Sequence, residues 1–134
     1  MHEPVIVTLA GQDYTTLAQH LNHTWAIDEP EELGGKDLGP APNDVLLSAL
    51  GACTAITLRM YANRKGWEIE SIAVSLQYTE TASNASPVTT IERKIEVKGN
   101  LEEKDRQRLL QIANACPVHK ILSGEIRISS EIVA

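Results

Sequence analysis

The spacing of apolar and polar residues predicts that the chain begins with β-strands. Val5–Leu9 has the pattern of a half-buried strand, and residues 14–21 and 23–27 are interpreted as two further strands of an N-terminal meander. A segment rich in turn residues, Asp28–Gly35, then leads to the rest of the chain. We therefore expect the first part of the protein to be antiparallel β structure.

A long helix is predicted in the middle of the chain. Pro42 or Asn43 can begin this helix, and Asp44 places a favourable negative charge in its first turn. Gly66 ends the helix after Lys65. At about 1.5 Å per residue the helix would be roughly 33 Å long, which is enough to cross most of a small domain. We therefore expect it to be the central element of the fold.

Two strands separated by a polar loop are predicted after the long helix. Ile72–Tyr78 alternates apolar and polar residues, as a strand with one buried face does. Residues 88–97 form the second predicted strand, with its apolar residues and Arg93 on one side. Arg93 is an exception in this pattern, and it is either a charge turned inward or a device that protects a sheet edge.

The last third of the chain is predicted to contain a helix, a short helical piece and a final strand. Asn100 and Glu103 resemble a capping box that begins a helix over residues 101–115. A short helical piece over residues 118–122 follows, and the isoleucines of 126–132 indicate a last strand. The complete order is strands, long helix, two strands, helix and strand, which predicts an α+β fold with an antiparallel sheet.

Size and charge narrow the class of protein. The 134 residues fit one domain spanning residues 1–134. The formal net charge of −6 argues against binding to nucleic acid or anionic membranes, since these need concentrated lysine and arginine. The N-terminus lacks the pattern of a signal peptide, and no apolar run approaches the ~20 residues of a membrane span. We therefore expect a cytoplasmic protein whose thiols stay reduced unless they are in use.

Two cysteines are the candidate reactive groups. Cys53 lies on an apolar stripe of the long helix, so a small buried hydrophobic residue is one interpretation of it. Cys116 lies where two helical pieces meet, and Pro117 suits the first position of the second piece. Free N–H groups at that turn can stabilise a thiolate. The stripe that contains Cys53 is Leu46, Ala49, Leu50, Cys53, Ile56, Thr57 and Met60.

A strip of small residues on the long helix predicts a close neighbour. Gly51 costs about 1 kcal/mol relative to alanine inside a helix, so a packing reason is expected for it. The neighbour is either the helix over residues 101–115, which would bring Cys116 towards Cys53, or the same long helix of a second subunit. The strip is Ser48, Gly51, Ala52 and Ala55.

Two other chemistries match parts of the sequence less well. A zinc site would combine the cysteines with histidines, but closed zinc sites usually have two close-spaced ligand pairs and Cys53 has no local companion. Ser48 and His119 lack a nucleophile signature such as G-x-S-x-G, which argues against a hydrolase. The residues considered for zinc are Cys53, Cys116, His119, His20 and His23.

Several segments together resemble the OsmC/Ohr family, the osmotically induced and organic hydroperoxide resistance proteins. The resemblance extends over nearly the whole chain in the same order. It implies the OsmC-like fold, an intertwined homodimer in which the long central helices pack together, and two sites at the subunit interface. The matching segments are Asp28-Glu29-Pro30, Gly34-Gly35, Gly39-Pro40-Ala41-Pro42, Leu46–Cys53 and Ala115-Cys116-Pro117-Val118.

The resemblance also implies thiol-dependent reduction of hydroperoxides. Cys53 would be the thiolate that attacks the O–O bond and becomes a sulfenic acid, and Cys116 would condense with it to a disulfide. A dithiol reductant would restore both thiols, and no metal or organic cofactor is implied. Active family members pair the first cysteine with an N-terminal Arg and with a Glu at the start of the long helix. This chain has no Arg before Arg59 and has Asn43 where the Glu is expected, which implies weak activity.

The missing Arg and Glu leave a second function open. The same dimeric scaffold can serve as a non-catalytic binding or redox-sensing protein, with a small hydrophobic ligand in an apolar pocket lined by the thiols. A third interpretation is a purely structural dimer, in which alkylating reagents reach neither cysteine. The candidate site residues are the same in each case, namely Cys53 and Cys116.

Overall fold

The structure, a computed structural model, describes residues 3–11 and 13–133. Within these residues it contains antiparallel strands and three α-helices, so the predicted α+β class is confirmed. The chain divides into two compact units, Met1–Ser48 and Ala49–Ala134. The single domain over residues 1–134 stays a prediction.

The first unit contains the predicted N-terminal meander. Strands β1 (Ile6–Thr8), β2 (Thr16–His20) and β3 (His23–Ile27) form an antiparallel sheet in the order β1–β2–β3. The turn-rich connection after β3 includes a single 3-10 turn, Glu31–Leu33. All three strands lie where the sequence pattern predicted them. The observed β1 and β2 are shorter than predicted by one or two residues at each end.

A buried carboxylate organises the loop that follows β3. The side chain of Asp28 is 1% exposed and accepts hydrogen bonds from the hydroxyl of Thr15 and from the backbone N–H groups of Glu29 and Leu38, at 2.7–3.2 Å. Burial by itself would raise the pKa of this carboxyl, but the hydrogen bonds favour the charged form and lower its pKa overall. Asp28 therefore holds the two ends of the loop together as an anion.

The long helix forms as predicted. Helix α1 is Pro42–Lys65, and Gly66 follows it with the positive φ of 71° that is typical of a residue after a helix C-terminus. However, its buried residues only partly match the predicted stripe: Leu50 is buried as expected, Thr54 and Leu58 are buried outside the stripe, and Ile56 and Met60 within it are more than half exposed. The prediction was wrong in part because α1 is apolar around most of its circumference, so periodicity alone does not identify the face that meets the core.

The apolar character of α1 also corrects the expectation about membrane spans. By length and composition alone this helix is apolar enough to cross a membrane, with a mean hydropathy of 1.5 over its most apolar window. A helix that packs against protein on two sides has the same composition. Since 33% of the window is buried within this chain, most of its apolar surface still lacks a covering element.

The second unit packs a two-stranded sheet against helices. Strands β4 (Ile69–Glu80) and β5 (Thr90–Gly99) are antiparallel, and helices α2 (Glu103–Ala113) and α3 (Pro117–Ser123) follow. Alternate residues of β5 are partly buried, including Arg93, so the inward orientation of this charge is confirmed. The buried core of the unit is formed by Leu58, Tyr61, Ala62, Ile69, Leu109 and Ala113.

Two local expectations for the second unit differ from the structure. The capping box of α2 is two residues later than the predicted Asn100 and Glu103: the backbone N–H of Glu102 donates to the Asp105 carboxylate at 3.4 Å. A Cβ at Gly51 would meet the Leu76 side chain of β4 at 2.8 Å, so within this chain the close neighbour is this strand and not the helix over residues 101–115, while the alternative of a second subunit stays a prediction. The close approach of Leu76 to Gly51 depends on tertiary packing that the local pattern does not encode.

The predicted final strand is also not formed within this chain. Residues 125–133 lie outside helices and strands, and Ile128 and Ile132 are 85% and 102% exposed. An alternating pattern makes a strand only where a neighbouring strand pairs with its backbone N–H and C=O groups. The described residues of this chain offer no such partner to the segment.

We predict that the stability contributed by Asp28 depends on pH. Its pKa is lower in the folded chain than in the unfolded chain, so the contribution is present above the unfolded pKa and is lost as pH falls through the folded pKa. Thermal unfolding of wild type and Asp28→Asn, measured from neutral to acidic pH, should therefore give a Tm difference that narrows on acidification. Glu31→Gln, on the exposed 3-10 turn, is the matched control. A difference that is constant with pH would contradict the assignment.

Candidate thiol site

Cys53 lies in the middle of helix α1, directly before the buried residue Thr54. The side chain is partly exposed, and its Sγ accepts a hydrogen bond from the backbone N–H of Val118 at 3.5 Å. The first turn of α3 therefore contacts the middle of α1. Cys53 is accessible to a small reagent while one side of its sulfur is held by the protein.

Cys116 is fully buried between α2 and α3. It is the residue before the first turn of α3, and its Sγ accepts a hydrogen bond from the backbone N–H of His119 at 3.3 Å. Pro117 occupies the first helical position, as predicted. The hydroxyl of Thr54 also lies within 3.9 Å of this sulfur. Cys116 is thus surrounded by hydrogen-bond donors although no solvent reaches it.

The structure brings the two sulfurs together. The consecutive N–H groups of Val118 and His119 donate to Cys53 Sγ at 3.5 Å and to Cys116 Sγ at 3.3 Å, so the first turn of α3 brings both thiols to one place. Burial raises the pKa of Cys53, and the neighbouring Cys116 raises it further. Burial also opposes ionisation of Cys116, but hydrogen bonds from Cys53, His119 N–H, Thr54 and Val118 N–H outweigh it and lower its pKa. The pair therefore favours negative charge on the buried sulfur.

Arg93 is the cation that reaches this cluster. From β5 its guanidinium donates hydrogen bonds to the hydroxyl of Thr54 at 3.1 Å, to the carbonyl of Ala113 at 3.5 Å and to the side chain of Asn114 at 3.0 Å. Thr54 in turn donates to the carbonyl of Leu50 at 2.7 Å. Arg93 therefore connects β5, α1 and the C-terminal end of α2 beside Cys116.

A cavity of about 350 Å³ adjoins the cluster. Burial, and then the positive charge of Arg93, lower the pKa of His119, so its imidazole is neutral at neutral pH. Arg93 and His119 contact the thiol cluster and also line the cavity, whose other walls are mostly apolar. The lining residues are Leu50, Thr89, Ile91, Arg93, Leu110, His119, Leu122 and Ser123.

Sequence reasoning found both cysteines but missed the groups that surround them. Thr54 and Asn114 carry no motif, and Arg93 was noticed only as an inward charge in a strand. The alternation of β5 was the available signal, because it placed Arg93 on the face that packs against the helices. No group of three metal-ligating side chains occurs within residues 3–11 and 13–133, so the zinc set considered above is not assembled there.

Comparisons with known proteins agree with this fold. The sequence model of the family described as OsmC-like protein matches residues 34–131. No protein of curated function matches the chain by sequence. The fold is similar to that of an OsmC-like protein from Mycoplasma pneumoniae, with a TM-score of 0.75, 20% identity, and coverage of 92% of this chain and 90% of that one.

Two further solved structures have names that refer to osmotic stress or to hydroperoxide resistance. An osmotic stress induced and detoxification response protein from Psychrobacter arcticus is 26% identical, with a TM-score of 0.70 over 87% of this chain and 85% of that one. An organic hydroperoxide resistance protein OsmC from Legionella pneumophila is 17% identical, with a TM-score of 0.64 over 91% and 90%. The family match covers well over half of the sequence, and it includes both cysteines. The chain therefore belongs to the OsmC-like family.

Proposed function

We propose that this protein reduces organic hydroperoxides with the thiols of Cys53 and Cys116. The observation that carries the proposal is that consecutive N–H groups of α3, those of Val118 and His119, donate to the two sulfurs, while Arg93 donates to Thr54 beside Cys116. A dithiol in such contact can give two electrons to a peroxide and end as a disulfide. The name of the Legionella relative, an organic hydroperoxide resistance protein, supports this substrate class.

The exposure of the two thiols supports their assignment to different steps. Cys53 is partly exposed, so it attacks the peroxide and becomes a sulfenic acid, while an alcohol leaves. Cys116 is buried behind it and attacks the sulfenic acid, which forms the disulfide and releases water. A dithiol reductant then reduces the disulfide by exchange. The reaction uses only the two sulfurs of the chain and an external reductant.

The activity is proposed to be weak. The family's N-terminal Arg is missing, and Asn43 stands where its Glu is expected. The cation of this cluster, Arg93, contacts Thr54 and the end of α2, on the side of Cys116. Only the thiolate attacks a peroxide effectively, and the raised pKa of Cys53 keeps the thiolate fraction of this residue small at neutral pH.

A homodimer in the cytoplasm is part of the proposal. Ile56 and Met60 of α1 are 54% and 60% exposed, although the helix is strongly apolar, and a second copy of α1 would cover them. The reducing conditions of the cytoplasm would supply the dithiol reductant. The same proposal places the thiol site at the interface between the two subunits.

Ligand binding without catalysis is the second candidate function. The cavity beside Arg93 and His119 has the volume of a small-molecule pocket and mostly apolar walls. A small hydrophobic ligand bound there would contact the two residues that also touch the thiol cluster. Oxidation of the thiols would then alter binding, as in a redox sensor.

We predict that Cys53→Ser abolishes peroxide reduction. In stopped flow with excess organic hydroperoxide and a dithiol reductant, wild type should turn over repeatedly, whereas Cys53→Ser should consume no more peroxide than buffer. Cys116→Ser should retain one oxidation of Cys53 but lose dithiol turnover, since no second sulfur is present. Equal consumption by wild type and Cys53→Ser would end the enzymatic proposal and leave ligand binding as the better candidate.

We predict an intramolecular disulfide after mild oxidation. Because the two thiols are already neighbours, one equivalent of a thiol oxidant should remove two hydrogen atoms from each chain and block alkylation of both cysteines. Mass spectrometry of the intact protein and of its peptides measures both effects. Cys53→Ser is the control and should lose no hydrogen within one chain. Disulfides found only between chains would contradict the prediction.

We predict that the protein has the mass of two chains in solution. Light scattering after size-exclusion chromatography should give a dimer for wild type and a monomer, or a much weaker dimer, for Met60→Glu, since a charge would then lie in the apolar contact. Val88→Glu, at an equally exposed apolar residue in the loop between β4 and β5, is the matched control. A monomeric wild type would contradict the homodimer.

A further inference from the structure

The two sulfurs differ in how many donors point at them. Cys116 Sγ accepts from the backbone N–H of His119 at 3.3 Å and has the hydroxyl of Thr54 at 3.9 Å. Cys53 Sγ accepts from the backbone N–H of Val118 at 3.5 Å. The thiol that is buried therefore has more hydrogen-bond donors than the thiol that is exposed.

Arg93 increases this difference through Thr54. A hydroxyl has one hydrogen, so Thr54 donates either to the carbonyl of Leu50 or to Cys116, while its oxygen accepts from Arg93. A guanidinium that donates to the oxygen polarises the O–H group and makes it a stronger donor. Rotation of the hydroxyl from Leu50 towards Cys116 then stabilises a negative sulfur at that position.

We propose that Cys116 is the resting thiolate of the pair and acts as the general base for Cys53. The inference rests on the peroxide-reducing function proposed above and assigns one additional step to Cys116. The proton passes between the two thiols, whose sulfurs accept from the consecutive N–H groups of Val118 and His119, and the Arg93–Thr54 hydrogen bond holds the charge on Cys116 until that proton arrives. Arg93 and Thr54 are positioning residues in this scheme, since they act through Cys116.

The step balances with an organic hydroperoxide as the oxidant. As Cys53 Sγ bonds to the terminal oxygen, the O–O bond breaks and its electron pair leaves with the alkoxide. The proton of Cys53 passes to Cys116 and from there to the alkoxide, which leaves as an alcohol. Cys116, again a thiolate, then attacks the sulfenic acid on Cys53. The S–O bond breaks, hydroxide leaves and takes a proton from solvent, and the disulfide is formed.

The groups around the pair are consistent with one negative charge. Arg93 faces the cluster from β5, and His119 faces it from α3 as a neutral imidazole. Helix α1 contributes Cys53 together with the hydroxyls of Thr54 and Thr57. The end of α2 contributes Asn114, whose side-chain oxygen accepts a hydrogen bond from Arg93. One cation therefore offsets one thiolate, and a second negative sulfur would be uncompensated. The lowered pKa of Cys116 and the raised pKa of Cys53 agree with a single thiolate located on Cys116.

The ultraviolet absorbance of thiolate tests the assignment without any peroxide. In Cys53→Ser the remaining thiol, Cys116, should ionise at lower pH than the remaining thiol of Cys116→Ser, which is Cys53. In the Cys53→Ser background, Arg93→Met and Thr54→Val should each raise the pH at which Cys116 ionises. Lys94→Met removes an equal charge from the exposed face of the same strand and should leave it unchanged. If Cys53 ionises at the lower pH, or Arg93→Met and Thr54→Val both behave as Lys94→Met does, the proposal is overturned.

A single-turnover experiment tests the base itself. The rate at which one equivalent of organic hydroperoxide is consumed at neutral pH should be about 10²-fold lower in Cys116→Ser than in wild type, which is the low end of the range for general-base catalysis. Raising the pH should recover the rate, since Cys53 then ionises by itself. Peroxide consumption at the wild-type rate in Cys116→Ser would overturn the inference and leave the peroxidase proposal intact. No peroxide consumption by wild type at any pH would overturn the peroxidase proposal, and the absorbance experiment would then decide the position of the thiolate alone.

Discussion

The candidate site depends on one inward-facing cation. Arg93 extends from β5 into the space between α1 and α2, where it donates to Thr54, to the carbonyl of Ala113 and to Asn114. A partly buried guanidinium is tolerated only where its N–H groups have acceptors, and these three supply them. The same bonds fix the residues on both sides of Cys116. The charge that organises the packing of the second unit is thus also the charge beside the thiols.

Two further arrangements follow from this cation. His119 lies near it and stays neutral, because a second positive charge in a partly buried place is unfavourable. Asn114, which follows α2, is held by Arg93 and leads directly into the turn that carries Cys116. The position of the buried thiol is therefore set from three elements, whereas Cys53 is set by the rigid helix α1 and one backbone N–H from α3.

Local sequence patterns correctly predicted the helix ends, because these ends depend on residues next to them in the chain. The bounds of α1 depend on Pro42 and Gly66, and the start of α3 depends on Pro117, so all three could be located from sequence. The buried face of α1 could not, since nearly every face of that helix is apolar. The strand expected over residues 126–132 requires a partner that the described residues of the chain do not provide. The partners of Arg93 are separated from it by 20–39 residues, and no spacing rule relates them.

The placement of charge also bears on why a chain of this family would react slowly. A cation beside the accessible thiol lowers the free energy of the attacking thiolate, but in this chain the cation lies on the side of the buried thiol. Cys53 must then lose its proton to a neighbour during the attack, and the transfer costs more as Cys116 becomes a better thiolate. The stabilisation given by Arg93 is therefore a compromise: it makes Cys116 available to resolve the sulfenic acid, while it weakens Cys116 as a base. A site balanced in this way favours disulfide formation over rapid peroxide attack.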